Sequence, residues 1–300
     1  MNKNDSLMME ASLLSSGFAP AENQNDADIV IFNTCSVRDS AERRAKGRLK
    51  EAMAQVRERK GIVVAAGCMA QRIPEFLING KYCSIAIGTY QSPSIGKIIE
   101  NFLNGDKRRV FDSFDENDYA GRISGTTESW HKWITITHGC ENFCTYCIVP
   151  YVRGKLISAS SGEILSSIKS AVDNGAIEIT LLGQNVNQYG QDNGEIPFYR
   201  LLDESAKIKG IERINFLTSH PKDFDTNIIE VIKNNQNISR SVHLPLQSGS
   251  DNILKQMNRI YSFSDYMKII DKIKELPDFS ITTDLIVGFP GETNEDFEET

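Results

Sequence analysis

Short runs of β-branched and apolar residues recur along this chain, each separated from the next by a stretch with helical spacing. In the first third the runs are Asp28-Ile-Val-Ile-Phe32, Ile62-Val-Val-Ala-Ala66 and Ser84-Ile-Ala-Ile87. Between and after them, Ala45, Leu49, Ala52, Met53 and Val56 mark one helix and residues 92–103 another. Strands that alternate with helices predict a parallel sheet. From 106 to 130 the pattern lapses into charged and small residues, including Asp115-Glu-Asn-Asp118 and Ser124-Gly-Thr-Thr127. A second series then begins, with strands expected at 134–137, 177–182, 213–218, 241–244 and 280–287. The predicted class is α/β: an N-terminal parallel sheet domain over 1–110, a linker over 111–125 and a partial (β/α)6-type barrel over 126–300.

Parallel strands share one carboxyl edge, where such folds place their ligands. The residues after each run therefore matter together. In the first series Cys35 and Cys68 follow successive strands. In the second, the strands are followed by Gly139 and Cys140, by Gly183-Gln184-Asn185, by Ser219-His220-Pro221, by Gln247-Ser-Gly-Ser250 and by Gly288-Phe-Pro-Gly-Glu292. Any one of these is ordinary turn chemistry, but five on one edge describe a pocket.

Cys140-Glu-Asn-Phe-Cys144-Thr-Tyr-Cys147 carries the chemistry. Structural zinc and electron-transfer clusters normally take four protein ligands, so three sulfurs around a cubane would leave one iron open to a substrate. Zinc stays an alternative through a Cys3His set with His138, although the paired short spacing of zinc knuckles is absent. Cys83 precedes its strand and reads as a small buried residue. The six cysteines would permit disulfides by count. However, the N-terminus has no apolar core of signal-peptide length, and no run of about 18 apolar residues occurs. A soluble, cytoplasmic chain with reduced thiols and no membrane segment is expected.

Composition adds little beyond this. The 300 residues are 40% hydrophobic and 24% charged, sufficient for two packed cores. A net charge of -7 offers phosphate no overall attraction. One local exception runs from Arg38 to Lys60, with nine basic and four acidic residues; it reads either as a solvated helix face or as an RNA contact.

The CxxxCxxC triplet at the end of a first barrel strand resembles the radical S-adenosylmethionine enzymes. Five stretches resemble the methylthiotransferases among them: Asn142-Phe-Cys-Thr-Tyr-Cys-Ile-Val-Pro-Tyr-Val-Arg-Gly154, Leu181-Leu-Gly-Gln-Asn-Val-Asn187, Thr218-Ser-His-Pro221, His243-Leu-Pro-Leu-Gln-Ser-Gly-Ser250 and Thr282-Thr-Asp-Leu-Ile-Val-Gly-Phe-Pro-Gly-Glu-Thr293. The likeness is nearest to the branch that modifies dimethylallyladenosine in tRNA. Asn33-Thr-Cys-Ser-Val-Arg38 and Ala66-Gly-Cys-Met-Ala-Gln71 are similar to two of the three cysteine motifs of that family's auxiliary-cluster domain. Met1-Asn2 looks like the end of the third, so the resemblance implies a chain lacking its first strand and one auxiliary ligand, and ending at Thr300 inside the barrel.

The resemblance implies a transferase that adds a methylthio group to C2 of N6-dimethylallyladenosine beside the tRNA anticodon. Its cofactors would be two 4Fe-4S clusters and S-adenosylmethionine. Cys140, Cys144 and Cys147 would hold the cluster that binds S-adenosylmethionine; Cys35 and Cys68 would hold the auxiliary cluster. Gly183, Gln184 and Asn185 would grip the methionine end of the cofactor, and Ser219 or His220 would line its ribose side. No side chain is singled out as an acid or base, because the cofactor supplies the radical chemistry. The partners implied are tRNA, an electron donor and a sulfur donor of unknown identity. Alternatives are methylthiolation of threonylcarbamoyl-adenosine or of a ribosomal protein, or a non-catalytic metal-binding or iron-sulfur module.

Overall fold

The computed structural model describes residues 2–114 and 130–300. It divides into two compact units: Met1–Thr126 with Tyr151–Gly154, and Thr127–Pro150 with Lys155–Thr300. The expected linker over 111–125 lies, from residue 115 onward, outside the described residues.

The first unit runs α1 (Asn2–Ser15), β1 (Ile29–Thr34), α2 (Asp39–Arg57), β2 (Ile62–Gly67), α3 (Cys68–Arg72), α4 (Pro74–Asn79), β3 (Ile85–Ile87), α5 (Ile95–Leu103) and β4 (Val110–Phe111). The four strands pair in chain order and all in parallel. Every residue of β2 is buried, because this strand is covered on both faces. Its side chains alternate accordingly. Val63 and Ala65 pack with Leu49, Ala52, Val56 and Leu77 from α2 and α4, whereas Ile62, Val64 and Ala66 pack with Met9, Ile95 and Ile99 from α1 and α5. The α1 helix is unheralded in the apolar pattern. It forms because Met9 closes the second core and because α5 presents Gly96, where any Cβ would stand 2.4 Å from Ser12 O and 2.3 Å from Ser16 Oγ.

The second unit runs β5 (His131–Thr135), β6 (Thr137–His138), α6 (Val149–Arg153), β7 (Ile157–Ser158), α7 (Ser161–Asp173), β8 (Glu178–Leu182), α8 (Phe198–Ala206), β9 (Arg213–Phe216), α9 (Asn227–Asn234), β10 (Ser241–His243), α10 (Asp251–Gln256), α11 (Phe263–Lys274), β11 (Ser280–Thr282) and α12 (Asn294–Glu299). The last residues of α6 belong to the first unit. Strands β5, β8 and β9 form one parallel sheet, and β10 with β11 another. A single parallel bridge, Ile214 to Ile238, continues the series between the two sheets.

Most strands differ from their expected bounds by one or two residues, and two depart further. The first barrel strand breaks at Ile136, whose N–H donates to Leu182 O in β8 (2.8 Å) while its carbonyl accepts from Ala159 N (2.9 Å). The chain thus leaves the parallel sheet and enters a short antiparallel pairing of β6 with β7. The strand expected over 280–287 is regular only to Thr282, because Leu246 N, which would continue the ladder, donates instead to Thr283 Oγ1 at 2.8 Å. Pairing resumes irregularly, with Gln247 N donating to Asp284 O and Ile286 N to Gln247 O, both at 2.9 Å. Among the described residues, no helix is long and apolar enough to cross a membrane.

Two helical glycines offer opposite tests of this packing. Gly47 in α2 has nothing within 4 Å of an added Cβ, so Gly47→Ala should stabilise the fold by up to about 1 kcal/mol through helix propensity. Gly96→Ala gains the same propensity but forces α1 backbone away from α5, and overpacking of this kind costs about 1–3 kcal/mol. Thermal unfolding should show a raised midpoint for the first variant and a lowered one for the second.

Candidate active site

The loop from Cys140 to Cys147 contains no helix or strand, so its backbone groups must find partners elsewhere. It leaves β6 through Gly139 and passes through Phe143, both in left-handed backbone, with φ of 74° and 46°. For phenylalanine that conformation costs about 1–2 kcal/mol. The turn after α10 restrains it. Asn258 Nδ2 donates to Asn142 O (3.1 Å) and to Phe143 O (3.0 Å). Thr145 N donates to Met257 O and Thr145 Oγ1 to Gln256 O, each at 3.1 Å.

The three sulfurs lie on this loop with different partners. Cys140 Sγ stands 4.0 Å from Gln188 Oε1, and Cys147 Sγ accepts from Val149 N at 3.5 Å. Cys144 is 9% exposed, and its Sγ meets two nitrogens, His220 Nε2 at 3.9 Å and Arg259 Nη1 at 3.7 Å. Burial pushes the Cys140 thiol up to about 11 and raises Cys147, and the neighbouring sulfurs add to both shifts. A metal binds thiolates, so loading the loop would release protons. Among the described residues, no group of three His, Cys, Asp or Glu side chains is drawn together as a ready metal site. What fits an iron-sulfur cluster is the donor chemistry: three mutually influencing thiols on one partly buried loop, with N–H groups beside one of them.

Loops after β8 and β9 are laced to this one. An added Cβ at Gly183 would lie 2.1 Å from Thr137 Oγ1, so glycine permits the ends of β6 and β8 to approach. Thr218 Oγ1 donates to Gly183 O (2.7 Å), and Val186 N donates to Thr218 O (3.0 Å). Asp223 Oδ2 then accepts from Asn185 Nδ2 at 2.6 Å and from Asn142 Nδ2 at 3.1 Å, tying the glycine loop to the cysteine loop. Asn142 Oδ1 accepts in turn from Gln188 Nε2 (3.3 Å) and Lys222 Nζ (3.0 Å).

His220 is buried, which with the charges of Arg259 and Lys222 pushes it down to about 2 and keeps it neutral. Its Nδ1 accepts from Lys222 N at 3.2 Å, which leaves the ring hydrogen on Nε2, facing Cys144.

Several buried polar atoms here lack a partner among the described residues: both side-chain heteroatoms of Gln184, Asn185 Oδ1, Asn187 Nδ2 and Ser219 Oγ. Each such group costs about 1–3 kcal/mol if left unmatched, and a cluster of them marks a place built for a polar ligand. Donors and acceptors in this mixture suit an amino acid carboxylate, an amine and sugar hydroxyls, which are the polar parts of S-adenosylmethionine. The loops after β10 and β11 turn to other partners. Ser250 Oγ donates to Asp296 Oδ1 (2.5 Å) at the start of α12, and Glu292 Oε2 accepts from Phe289 N (3.1 Å) and Gly288 N.

In the first unit, Thr34 pairs with Gly67, which sets Cys35 and Cys68 side by side at the carboxyl edge of β1 and β2. Burial raises the Cys68 thiol, while the Arg153 guanidinium beside it acts in the opposite direction. Arg153 is 6% exposed; its Nη2 donates to Asp5 Oδ2 at 2.5 Å. Cys83 is fully buried in the core with Leu49 and Leu77. Sequence reasoning overlooked Asp223, Asn258, Arg259 and Arg153. For Arg153 its place inside the cysteine motif was the available signal; for Asn258 it was an asparagine just past a helix end.

Comparison with known proteins accords with this geometry. Residues 134–300 match the model of the Radical SAM superfamily, and residues 1–88 match that of the Uncharacterized protein family UPF0004. A tRNA-2-methylthio-N(6)-dimethylallyladenosine synthase of Thermotoga petrophila is 43% identical over 304 residues, covering all of this chain and 68% of the relative. Proteins of the same name from Thermosipho africanus and Clostridium tetani are 43% and 42% identical, with 69% and 68% of their lengths covered. Among solved structures, a radical S-adenosylmethionine methyltransferase from Kitasatospora setae, with tryptophan and an S-adenosylmethionine analogue bound, superposes with a TM-score of 0.69 at 14% identity. The match covers 96% of this chain and 61% of that one. A cobalamin-dependent S-adenosylmethionine radical enzyme gives 0.62 at 15% identity, covering 99% of this chain and 48% of that one. These likenesses establish a shared fold. With identity above 40% along its whole length and the superfamily match over its second unit, the chain belongs to the tRNA-2-methylthio-N(6)-dimethylallyladenosine synthase family of radical S-adenosylmethionine proteins.

Proposed function

We propose that this chain adds a methylthio group to C2 of N6-dimethylallyladenosine next to the anticodon of tRNA. The observation that supports it most is the cysteine loop beside a cluster of unmatched polar atoms, in a chain 43% identical to relatives named for that activity. When bound, the cluster and S-adenosylmethionine supply one-electron reductive cleavage of a sulfur-carbon bond, which gives access to an otherwise inert C–H bond. The remaining tasks fall to the chain's own residues. Cys140, Cys144 and Cys147 would each hold one iron, leaving one for the cofactor's amine and carboxylate. Asn185 is held by Asp223 through its amide nitrogen, so its Oδ1 is presented in a fixed direction. Gln184 would complete the grip on the methionine end, with Gly183 opening the space, and Ser219 and His220 would border the ribose. Burial around the loop shields the reaction from water.

Cys35 and Cys68 would hold the auxiliary cluster as neighbouring ligands, with Arg153 offsetting their negative charge. The partners of the reaction would be tRNA and a one-electron donor, and the setting the cytoplasm, where thiols stay reduced.

Reduced anaerobically with S-adenosylmethionine and tRNA bearing dimethylallyladenosine, the iron-loaded protein should release 5'-deoxyadenosine and yield tRNA heavier by a methylthio group, both read by mass spectrometry. Cys144→Ala should do neither. Absence of 5'-deoxyadenosine at full iron occupancy would refute a radical enzyme, whereas 5'-deoxyadenosine release without tRNA modification would move the substrate elsewhere. Asn185→Ala removes a fixed acceptor worth about 1.4 kcal/mol, so S-adenosylmethionine affinity should fall about tenfold. Its iron content should be unchanged; calorimetric titration showing wild-type affinity would remove Asn185 from the cofactor site.

A further inference from the structure

We propose that the turn Gln256-Met-Asn-Arg259 is a clasp on the cysteine loop, and that Arg259 is a positioning residue that sets the reduction potential of the cluster held there. The proposal rests on the reading that Cys140, Cys144 and Cys147 bind iron.

The clasp meets the loop at consecutive positions. Asn258 holds the carbonyls of Asn142 and Phe143, the carbonyls of Gln256 and Met257 receive the two donors of Thr145, and Arg259 reaches the sulfur between them. Asn258 itself sits in left-handed backbone, φ 56°, a conformation asparagine tolerates well. This bend turns the chain so that the next side chain points back at Cys144.

Arg259 is 6% exposed, and its other nitrogens are fixed. Nη2 donates to Pro245 O at 2.8 Å, and Nε to Tyr261 OH at 3.0 Å. Tyr261 OH in turn donates to Leu246 O at 2.7 Å. The guanidinium is therefore anchored to the backbone after β10, and Nη1 is left to approach Cys144 Sγ and, at 3.4 Å, Tyr146 OH. Arginine stays protonated under all working conditions, so this is a permanent positive charge and a charged N–H donor on one of the three sulfur ligands. His220 Nε2 adds a neutral donor to the same sulfur.

Hydrogen bonds to cluster sulfurs and nearby charge are the levers by which a protein tunes iron-sulfur potentials. Reduction adds an electron, and a fixed cation beside a thiolate stabilises the more negative form. Arg259 should therefore make the cluster easier to reduce. Asn258 should instead determine how well the loop keeps its shape.

The test is a redox titration of the reconstituted protein followed by electron paramagnetic resonance, without tRNA and without turnover, alongside iron counting. Arg259→Gln substitutes a shorter, neutral amide donor and so loses the charge. At a poise where the wild-type cluster is sparsely reduced, the reduced-to-oxidised ratio should fall about tenfold, equivalent to about 59 mV for a one-electron couple. Arg259→Lys should recover most of that ratio. Asn258→Ala should lower iron retention after gel filtration while leaving the potential of the retained cluster near wild type. If Arg259→Gln holds full iron at the wild-type potential, the electrostatic role is overturned. If Arg259→Gln loses its iron, the titration passes to Arg259→Lys and Asn258→Ala. Both variants keep a cation at position 259, so near-wild-type potentials in both then support the assignment, and a fall of about 59 mV in either overturns it. A wild-type protein that takes up no iron-sulfur cluster fails at the underlying reading, before any variant is compared.

Discussion

Parallel pairing is the constraint on which the rest of this molecule depends. A strand cannot follow its parallel neighbour without crossing back over the sheet, so within each parallel sheet every strand ends on the same edge as the others. That rule places Cys35 beside Cys68 in the first unit, through the pairing of Thr34 with Gly67. In the second unit it gathers the ends of β5, β8 and β9. The chemistry then depends on short irregular segments whose backbone groups no ladder satisfies. Side chains close this gap: Asn258 grips two carbonyls of the cysteine loop, while Asp223 ties the Asn142 side chain to that of Asn185 in the loop after β8.

The edge also collects strained backbone. Phe143, Thr218 and Gln247 all have positive φ, at 46°, 71° and 73°, although none is glycine and Thr218 is β-branched. Such conformations persist where surrounding contacts over-determine them. Thr218 illustrates this: its hydroxyl donates to Gly183 O while its carbonyl accepts from Val186 N. Rigidity at the site thus comes from side chains that bond to backbone across loops.

Much of this was legible in the chain's pattern, for identifiable reasons. Buried parallel strands are continuous apolar runs, so β1, β2, β3 and β8 could be read with small errors at their ends. The cysteine triplet and the glycine loop after β8 are local in sequence, and local signals survive without coordinates. By contrast, β6 and β7 pair through two residues each, too short to leave a period. The α1 helix owes its place to Met9 and to the space left by Gly96, neither of which is an intrinsic helix signal. Asp223 and Arg259 act on partners 81 and 115 positions away, a separation at which a single sequence says nothing. The unmatched atoms of Gln184, Asn185 and Ser219 are properties of packing and could not be read at all beforehand.

The segment Tyr151–Gly154 has a wider consequence. It follows the cysteine loop in the chain, yet it packs in the first unit, where Thr89 Oγ1 donates to Val152 O (2.7 Å), Tyr90 OH to Arg153 O (3.2 Å), and Arg153 pairs with Asp5. The two units are therefore not modules that a single cut in the gene could separate. A fragment beginning at residue 130 would carry Arg153 without its carboxylate, and a fragment ending before it would keep Asp5 without its cation. Removing one partner from a buried pair costs about 3–5 kcal/mol, comparable to the whole stability of a small domain. Recombination between the halves of such proteins is thus penalised unless these four residues and their pocket are inherited together.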